Sequence, residues 1–426
     1  MKINRRNFVA LGAAGAASLA MPSIGRAQGA APSFMSFTYA EDPNRPFVQA
    51  VLDGFKASSG VSVEVIGSAW GDTQRNILLR QRSRTLPTTA QIQDRWLPAM
   101  ASMPEIVDLE TVFGKAGVDA MVDPAVAGMG RVGGKTIGFP IISGSIGMFA
   151  NMEVLAKAGV SSIPTTLAEF RTALLAVRDK VPNSVPYGMA TKNPGSVPLD
   201  VLLLVWAHGG RMIDESGKVL VKSDSGRAAM EFTAGLMRDR LVAPEIDRPD
   251  ARRLFGQGNC AFYIDAPQAR SFGRSFSGRG EAFDPVVMPM KMPVANSGIK
   301  PASIEWGHLV SMFATGPVAK DSPGARWVEY LMSDAVQTSF PLKLSALPGS
   351  KAGRAAPAVQ SDAYLRNLVA SAGTGMKHEI GVWSNSPELS TILTEETQAA
   401  LLGQKNAGAA VDAMQSRMEQ SMARRG

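Results

Sequence analysis

The stretch from Gly133 to Phe170, GGKTIGFPIISGSIGMFANMEVLAKAGVSSIPTTLAEF, constrains the fold more than any other part of the 426-residue chain. Two apolar β-type runs, Thr136 to Ile142 and Ile146 to Ala150, flank a step of small residues at Ser143, Gly144 and Ser145. Asn151 precedes a helical pattern from Met152 to Ala158. Gly159 stops that helix where a left-handed residue is needed, and Pro164 with Thr165 or Thr166 as N-cap opens the next helix at Leu167. Gly130, Gly133, Gly134, Lys135 and Thr136 superficially suggest a phosphate-cradling loop. Such a loop needs glycine where Met129 stands, and it opens a helix, whereas Thr136 to Phe139 reads as strand.

The first 27 residues read as an export signal. Arg5, Arg6 and Phe8 form an R-R-x-F core, an apolar stretch runs from Phe8 to Ala20, and Gly25, Arg26 and Ala27 offer a cleavage site. The pattern resembles a twin-arginine (Tat) signal and implies a periplasmic protein exported already folded. Asn4 stands where that pattern favours Ser or Thr. Removing Lys2, Arg5, Arg6 and Arg26 leaves 40 basic residues (44 − 4) against 37 acidic ones. The remaining cations are scattered, which argues against nucleic acid as a partner. Cys260 is the single cysteine, so no intrachain disulfide can form, and it reads as a small buried hydrophobe. His208, His308 and His378 lie too far apart for metal-ligand spacing. Neither metal nor cofactor is expected.

Beyond the signal, about 399 residues exceed one ordinary core, so two lobes are expected. Phe34 to Tyr39 reads as a strand, Pro46 to Ser58 as a helix ended by Gly60, and Val61 to Ile66 as the next strand. That order opens an α/β lobe with a largely parallel sheet. Further helices are expected at Thr73 to Arg84, Leu199 to His208, Ser225 to Arg240, Pro323 to Met332, Pro387 to Leu402 and Ala407 to Met422. Strands are expected at Val286 to Pro289 and Leu309 to Phe313.

The long stretch resembles the segment by which extracytoplasmic solute-binding proteins of family 1, the sugar receptors of ABC importers, cross between lobes. Gly134, Lys135, Gly138, Pro140, Asn151, Ala158, Gly159, Pro164, Thr166, Glu169 and Phe170 carry the likeness. Phe55, Gly60, Val61 and Val63 fit the family's opening, and Phe255, Gly256, Gly258, Ala261 and Phe262 a later helix-to-strand step. Thr88, after Leu86 and Pro87, replaces an acid usual there. The resemblance implies an α/β, type II clamshell with three crossings. Its first lobe would take residues 28–142 and 304–347, its second residues 143–303 and the C-terminal helices in 348–426. It also implies capture of a sugar by lobe closure, delivery to the transmembrane subunits of an ABC permease, and a monomer without enzymatic activity. Ser143 and Gly144 are the expected hinge.

Sugar binding asks for aromatic faces against C–H patches and planar polar groups for hydroxyls. Trp70, Trp96, Trp306 and Trp383 stand beside polar residues near expected strand ends or in a loop, with Trp206 a weaker candidate and Trp327 expected in a core. Glu41, Asp42, Asp94, Arg95, Asn193, Asp265 and Glu305 are the polar candidates, with Glu305 beside Trp306 the favoured pair. Arg95 in the crevice would favour an acidic sugar. The alternatives are a receptor for a phosphate ester, polyamine or peptide, or a secreted glycosidase using Asp94 and Glu305. The chain contains no G-x-S-x-G nucleophile elbow.

Overall fold

The computed structural model describes residues 31–424, so the export signal lies outside the described residues. Ten strands form the main sheet: β1 (Ser33–Ser36), β2 (Glu64–Gly67), β3 (Thr89–Gln93), β4 (Phe139–Asn151), β5 (Val185–Tyr187), β6 (Cys260–Asp265), β7 (Val287–Met290), β8 (Ala302–Met312), β9 (Leu347–Pro348) and β10 (Thr374–Met376). The order β2-β1-β3-β8-β4-β6-β5 contains a parallel trio, β2-β1-β3, and a change of partners along β4. Phe139 to Ile146 pair antiparallel with β8, whereas Gly147 to Asn151 pair with β6 and β7. One strand is therefore shared by the two halves of the sheet, and each half with its helices is a lobe. β9 adds a third segment at the junction, pairing with Ile142 and Ser143.

Local signals account for much of this. Gly60 ends the helix Arg45–Ser59 at φ 72°, and Gly159 follows the helix Met152–Lys157 at φ 74°. Thr166 caps the helix Leu167–Lys180 through a capping box with Glu169, satisfying free N–H groups at both positions. Gly133 and Gly134, both at positive φ, make the two-residue turn of a small hairpin joining Arg131–Val132 to Lys135–Thr136.

Three features differ from the sequence reading. The small-residue step does not interrupt the strand: Ser143, Gly144 and Ser145 stay within β4 because β8 and β9 pair with them. β8 begins at Ala302, seven positions before the expected start at Leu309, so Glu305, Trp306, Gly307 and His308 lie within a strand. β1 ends at Ser36, whose hydroxyl caps a single helical turn, Phe37–Ala40.

Trp327 is fully buried in the first lobe, edge-on to Phe34 and Phe55 at 5.4 and 5.2 Å between ring centroids. The second lobe holds a smaller apolar cluster of its own around Phe149, Phe255, Tyr263 and Tyr364. The larger cluster runs through both lobes without a break, because the helix Val197–Ala207 of the second lobe packs against β8. The helices Ser386–Leu401 and Ala407–Ala423 pack on each other and on the second lobe's helix Asp224–Arg238. No described helix is long and apolar enough to cross a membrane.

Candidate functional site

The carboxyl ends of parallel strands in an open α/β sheet carry loops that face a crevice. Here the ends of β1, β2 and β3 deliver Glu41, Trp70 and Gln93, and the end of β6 delivers Asp265 and Gln268 from the other lobe. Together with Trp306 and His308 of β8, they line one interlobe cleft. The cleft is shut. Arg252 Nη1 reaches Glu41 Oε1 at 3.0 Å across it, while the same guanidinium is held by both oxygens of Asp265 at 2.7 and 2.9 Å. At the rim, a Cβ on Gly71 would come within 2.7 Å of the Asn193 amide, so these two loops touch. The remaining cavity is about 10 Å3, room for at most one water.

Burial sets the electrostatics of this cleft. Desolvation raises the Glu41 carboxyl above its usual value, against the opposing pull of Arg252 and the amide of Asn44. Burial, with Arg95 and Arg252 nearby, pushes His308 well below the usual imidazole value, so it is neutral. Its ring then accepts from Gln91 Nε2 at 3.1 Å and lies 3.4 Å from Gln93 Nε2, which leaves Gln93 Oε1 without a partner. Turning that amide over would pair the oxygen and strand the nitrogen instead. Gln268 Nε2 is also buried and unpaired. Two amides from opposite lobes thus bring unmet hydrogen-bonding capacity into one closed space, flanked by the rings of Trp70 and Trp306.

The structure separates the other sequence candidates. Glu305 and Trp306 cannot share a site, because adjacent residues of a strand point to opposite faces. Trp306 lines the cleft, and Glu305 lines a different cavity behind the crossing strands, together with Asp94, Ser143 and Gly144. Arg95 lies against the rings of Trp70 and Trp96, 5.5 and 5.6 Å from their centroids, and borders that rear cavity. Asp42 faces solvent and pairs with Arg45 at 2.7 Å. Trp96 packs edge-on against Phe37. Trp206 is buried and donates to Glu379 at 2.8 Å. Trp383 is half-buried against the core, just ahead of the helix Ser386–Leu401.

Sequence reasoning missed Gln93, Gln268, Arg248, Arg252 and His308. One signal was available: Arg248 and Arg252 are one helical turn apart on the helix Arg248–Gly256, which leads into the strand ending at Asp265. Arg248 is wholly buried, bound to Asp200 and to the carbonyl of Ile264. Among the described residues, no group of three or more His, Cys, Asp or Glu is placed to hold a metal ion.

Three solved structures illustrate the likeness of fold. A solute-binding protein of an ABC transporter from Thermotoga lettingae, bound with α-D-tagatose, superposes with a TM-score of 0.81 at 16% identity, covering 92% of this chain and 99% of that one. Maltose-bound MalE3 of T. maritima gives 0.78 at 19% identity, over 91% and 98% of the two chains. The GacH receptor of Streptomyces glaucescens, studied with acarbose, gives 0.77 at 20%, over 92% and 98%. No curated protein matches the chain by sequence. The family model described as bacterial extracellular solute-binding protein matches residues 50–367, well over half of the chain, which therefore belongs to that family.

Proposed function

We propose that the protein is the substrate-binding component of an ABC importer, which captures a sugar or sugar derivative between its lobes and hands it to a membrane permease. The observation that carries the reading is the shut interlobe cleft, where Gln93 Oε1 and Gln268 Nε2 are left without a hydrogen-bond partner between Trp70 and Trp306. Planar amides and indole faces are the groups that bind hydroxyls and sugar C–H patches. Family membership and the sugar-bound neighbours support the same class. Lobe exchange near residues 142, 303 and 347, with Ser143 and Gly144 in the hinge, fits the partner change along β4.

The proposed work is capture without chemistry. Asp94 and Glu305, the pair a glycosidase reading needs, line the rear cavity rather than the cleft. Ligand that touches both lobes stabilises closure by its differential affinity for the shut form. A thermal-shift screen over mono-, di- and acidic saccharides tests the reading. A cognate sugar raises the melting temperature, by about 2.7 kcal/mol of stabilisation at a hundredfold excess over Kd. Gln268→Ala and Trp306→Ala abolish the shift, and retention of full affinity in both variants would sink the site assignment.

A further inference from the structure

On the far side of the crossing strands from the cleft lies a cavity of about 440 Å3. Its floor is the stretch Ser143 to Ser145 of β4 together with Ser303 and Glu305 of β8. Val126 and Met129 of the first lobe form one wall, and Leu368 and Val369 of the second lobe's helix Ala363–Ser371 form the other. The volume falls within the range of ordinary small-molecule sites, about 300–1,000 Å3.

Its polar groups are unfinished. Ser303 Oγ, Arg354 Nε and Arg95 Nη2 are buried without a hydrogen-bond partner, and the residues carrying them all line this cavity. Ser303 is 2% exposed and Arg95 8%, so water does not readily satisfy them. Among the described residues, Arg131 is the one charged lining residue in an ion pair, with Glu110 at 2.9 Å. Asp94 and Glu305 have no ion-pair partner, and Asp94 spends Oδ1 on the amide of Gly307 at 3.3 Å. Arg354 is anchored at the floor through Nη2 to Ser143 Oγ at 2.6 Å. At the mouth, Val369 and Val382 are 60% and 41% exposed, two of four strongly exposed large apolar side chains among the described residues.

Two carboxylates outside any ion pair, guanidiniums with a free N–H on Arg354 and Arg95, the ammonium of Lys377 and an apolar wall fit a ligand that brings an anion, a cation and a hydrocarbon group. We propose that this rear cavity is a second small-molecule site, for an amino-acid zwitterion with an apolar side chain. The ammonium meets Asp94 and Glu305, the carboxylate meets Arg354, and the side chain lies against Leu368, Val369 and Val382. Charge-assisted hydrogen bonds at both ends, rather than area alone, set the selectivity.

Titration calorimetry on the mature chain tests this with three probes: L-leucine, 4-methylpentanoate, which lacks the amine, and 3-methylbutylamine, which lacks the carboxylate. L-leucine gives saturable heat, and each truncated analogue binds about tenfold more weakly or worse. Glu305→Gln and Arg354→Gln each cost L-leucine a similar factor. Val369→Trp, at an exposed position where the fold is not at stake, blocks the mouth and removes the heat. Glu305 neither lines the cleft nor bonds the hinge residue Ser143, so Glu305→Gln keeps any saccharide-induced thermal shift, and failure here is distinguishable from failure of the sugar reading. Absence of saturable heat with millimolar L-leucine, equal binding of an analogue lacking either charge, or undiminished binding in the Val369→Trp protein overturns the proposal.

Discussion

Asp94 gives the sharpest test of the electrostatics around the rear cavity. Burial raises its carboxyl to about 6; Arg95 and the amides of Gly307 and Arg95 pull it down, and Glu305 pushes it up further. In the unfolded chain an aspartate titrates near 3.9, a difference of roughly two units, or about 3 kcal/mol. The folded state binds the proton more tightly, so this contribution favours folding below pH 4 and is lost as pH rises through about 6. At pH 7.5 the charged form therefore costs the protein up to about 3 kcal/mol.

Asp94→Asn keeps the oxygen that accepts from Gly307 and removes the charge. It also takes a counter-charge from Arg95, whose guanidinium burial already lowers to about 10, so the net gain should be about 1–2 kcal/mol. With about 0.8 kcal/mol per kelvin of unfolding entropy for roughly 400 residues, this is a rise in Tm of about 1–3 °C. Calorimetric melts of both proteins at half-unit steps from pH 4 to 7.5 read it out. The variant gains nothing at pH 4, and its advantage opens between pH 4 and 6. An advantage equal at all pH values, or a variant less stable at pH 7.5, refutes the reasoning.

Gly349→Ala should be severely destabilising, because its Cβ would fall 1.6 Å from the carbonyl oxygen of Pro140 on β4. Such an overlap with backbone costs about 3 kcal/mol or more, seen as a large drop in Tm or in soluble yield; a wild-type melt would contradict the close approach. Cys260 is buried, and desolvation pushes its thiol up to about 12. Iodoacetamide at pH 8 should leave the native protein unlabelled and modify it in denaturant; fast labelling without denaturant would mean the strand β6 opens.

The elements that carry strong local chemistry were readable in advance. The N-cap expected at Thr165 or Thr166, the glycines after two helices and the apolar run of the helix Val197–Ala207 each state their conformation within a few residues. The faces of β8 were not readable in that way. Gly307 and His308 break the apolar pattern, and the strand is held there by β3 and β4, which are far away in sequence. Missing the strand residues Ala302 to His308 hid the alternation that sends Glu305 and Trp306 to opposite sides. The cleft amides escaped for a related reason: a lone Gln93 or Gln268 carries no motif, and its meaning comes from the opposite lobe. Asp42 shows the reverse error, a loop acid whose partner, Arg45, is three residues away on the solvent side.

β8 lies between β3 and β4, and the contact of Gln93 with His308 spans 215 positions. During translation at about 5–20 residues per second, the first three strands would wait roughly 10–40 s on the ribosome for the strand that completes their sheet. Over that interval the exposed edge of β3 is open to pairing with another nascent chain. A chaperone that masks this edge would matter most while the second lobe is being made, and the lobe begun first would be the one finished late.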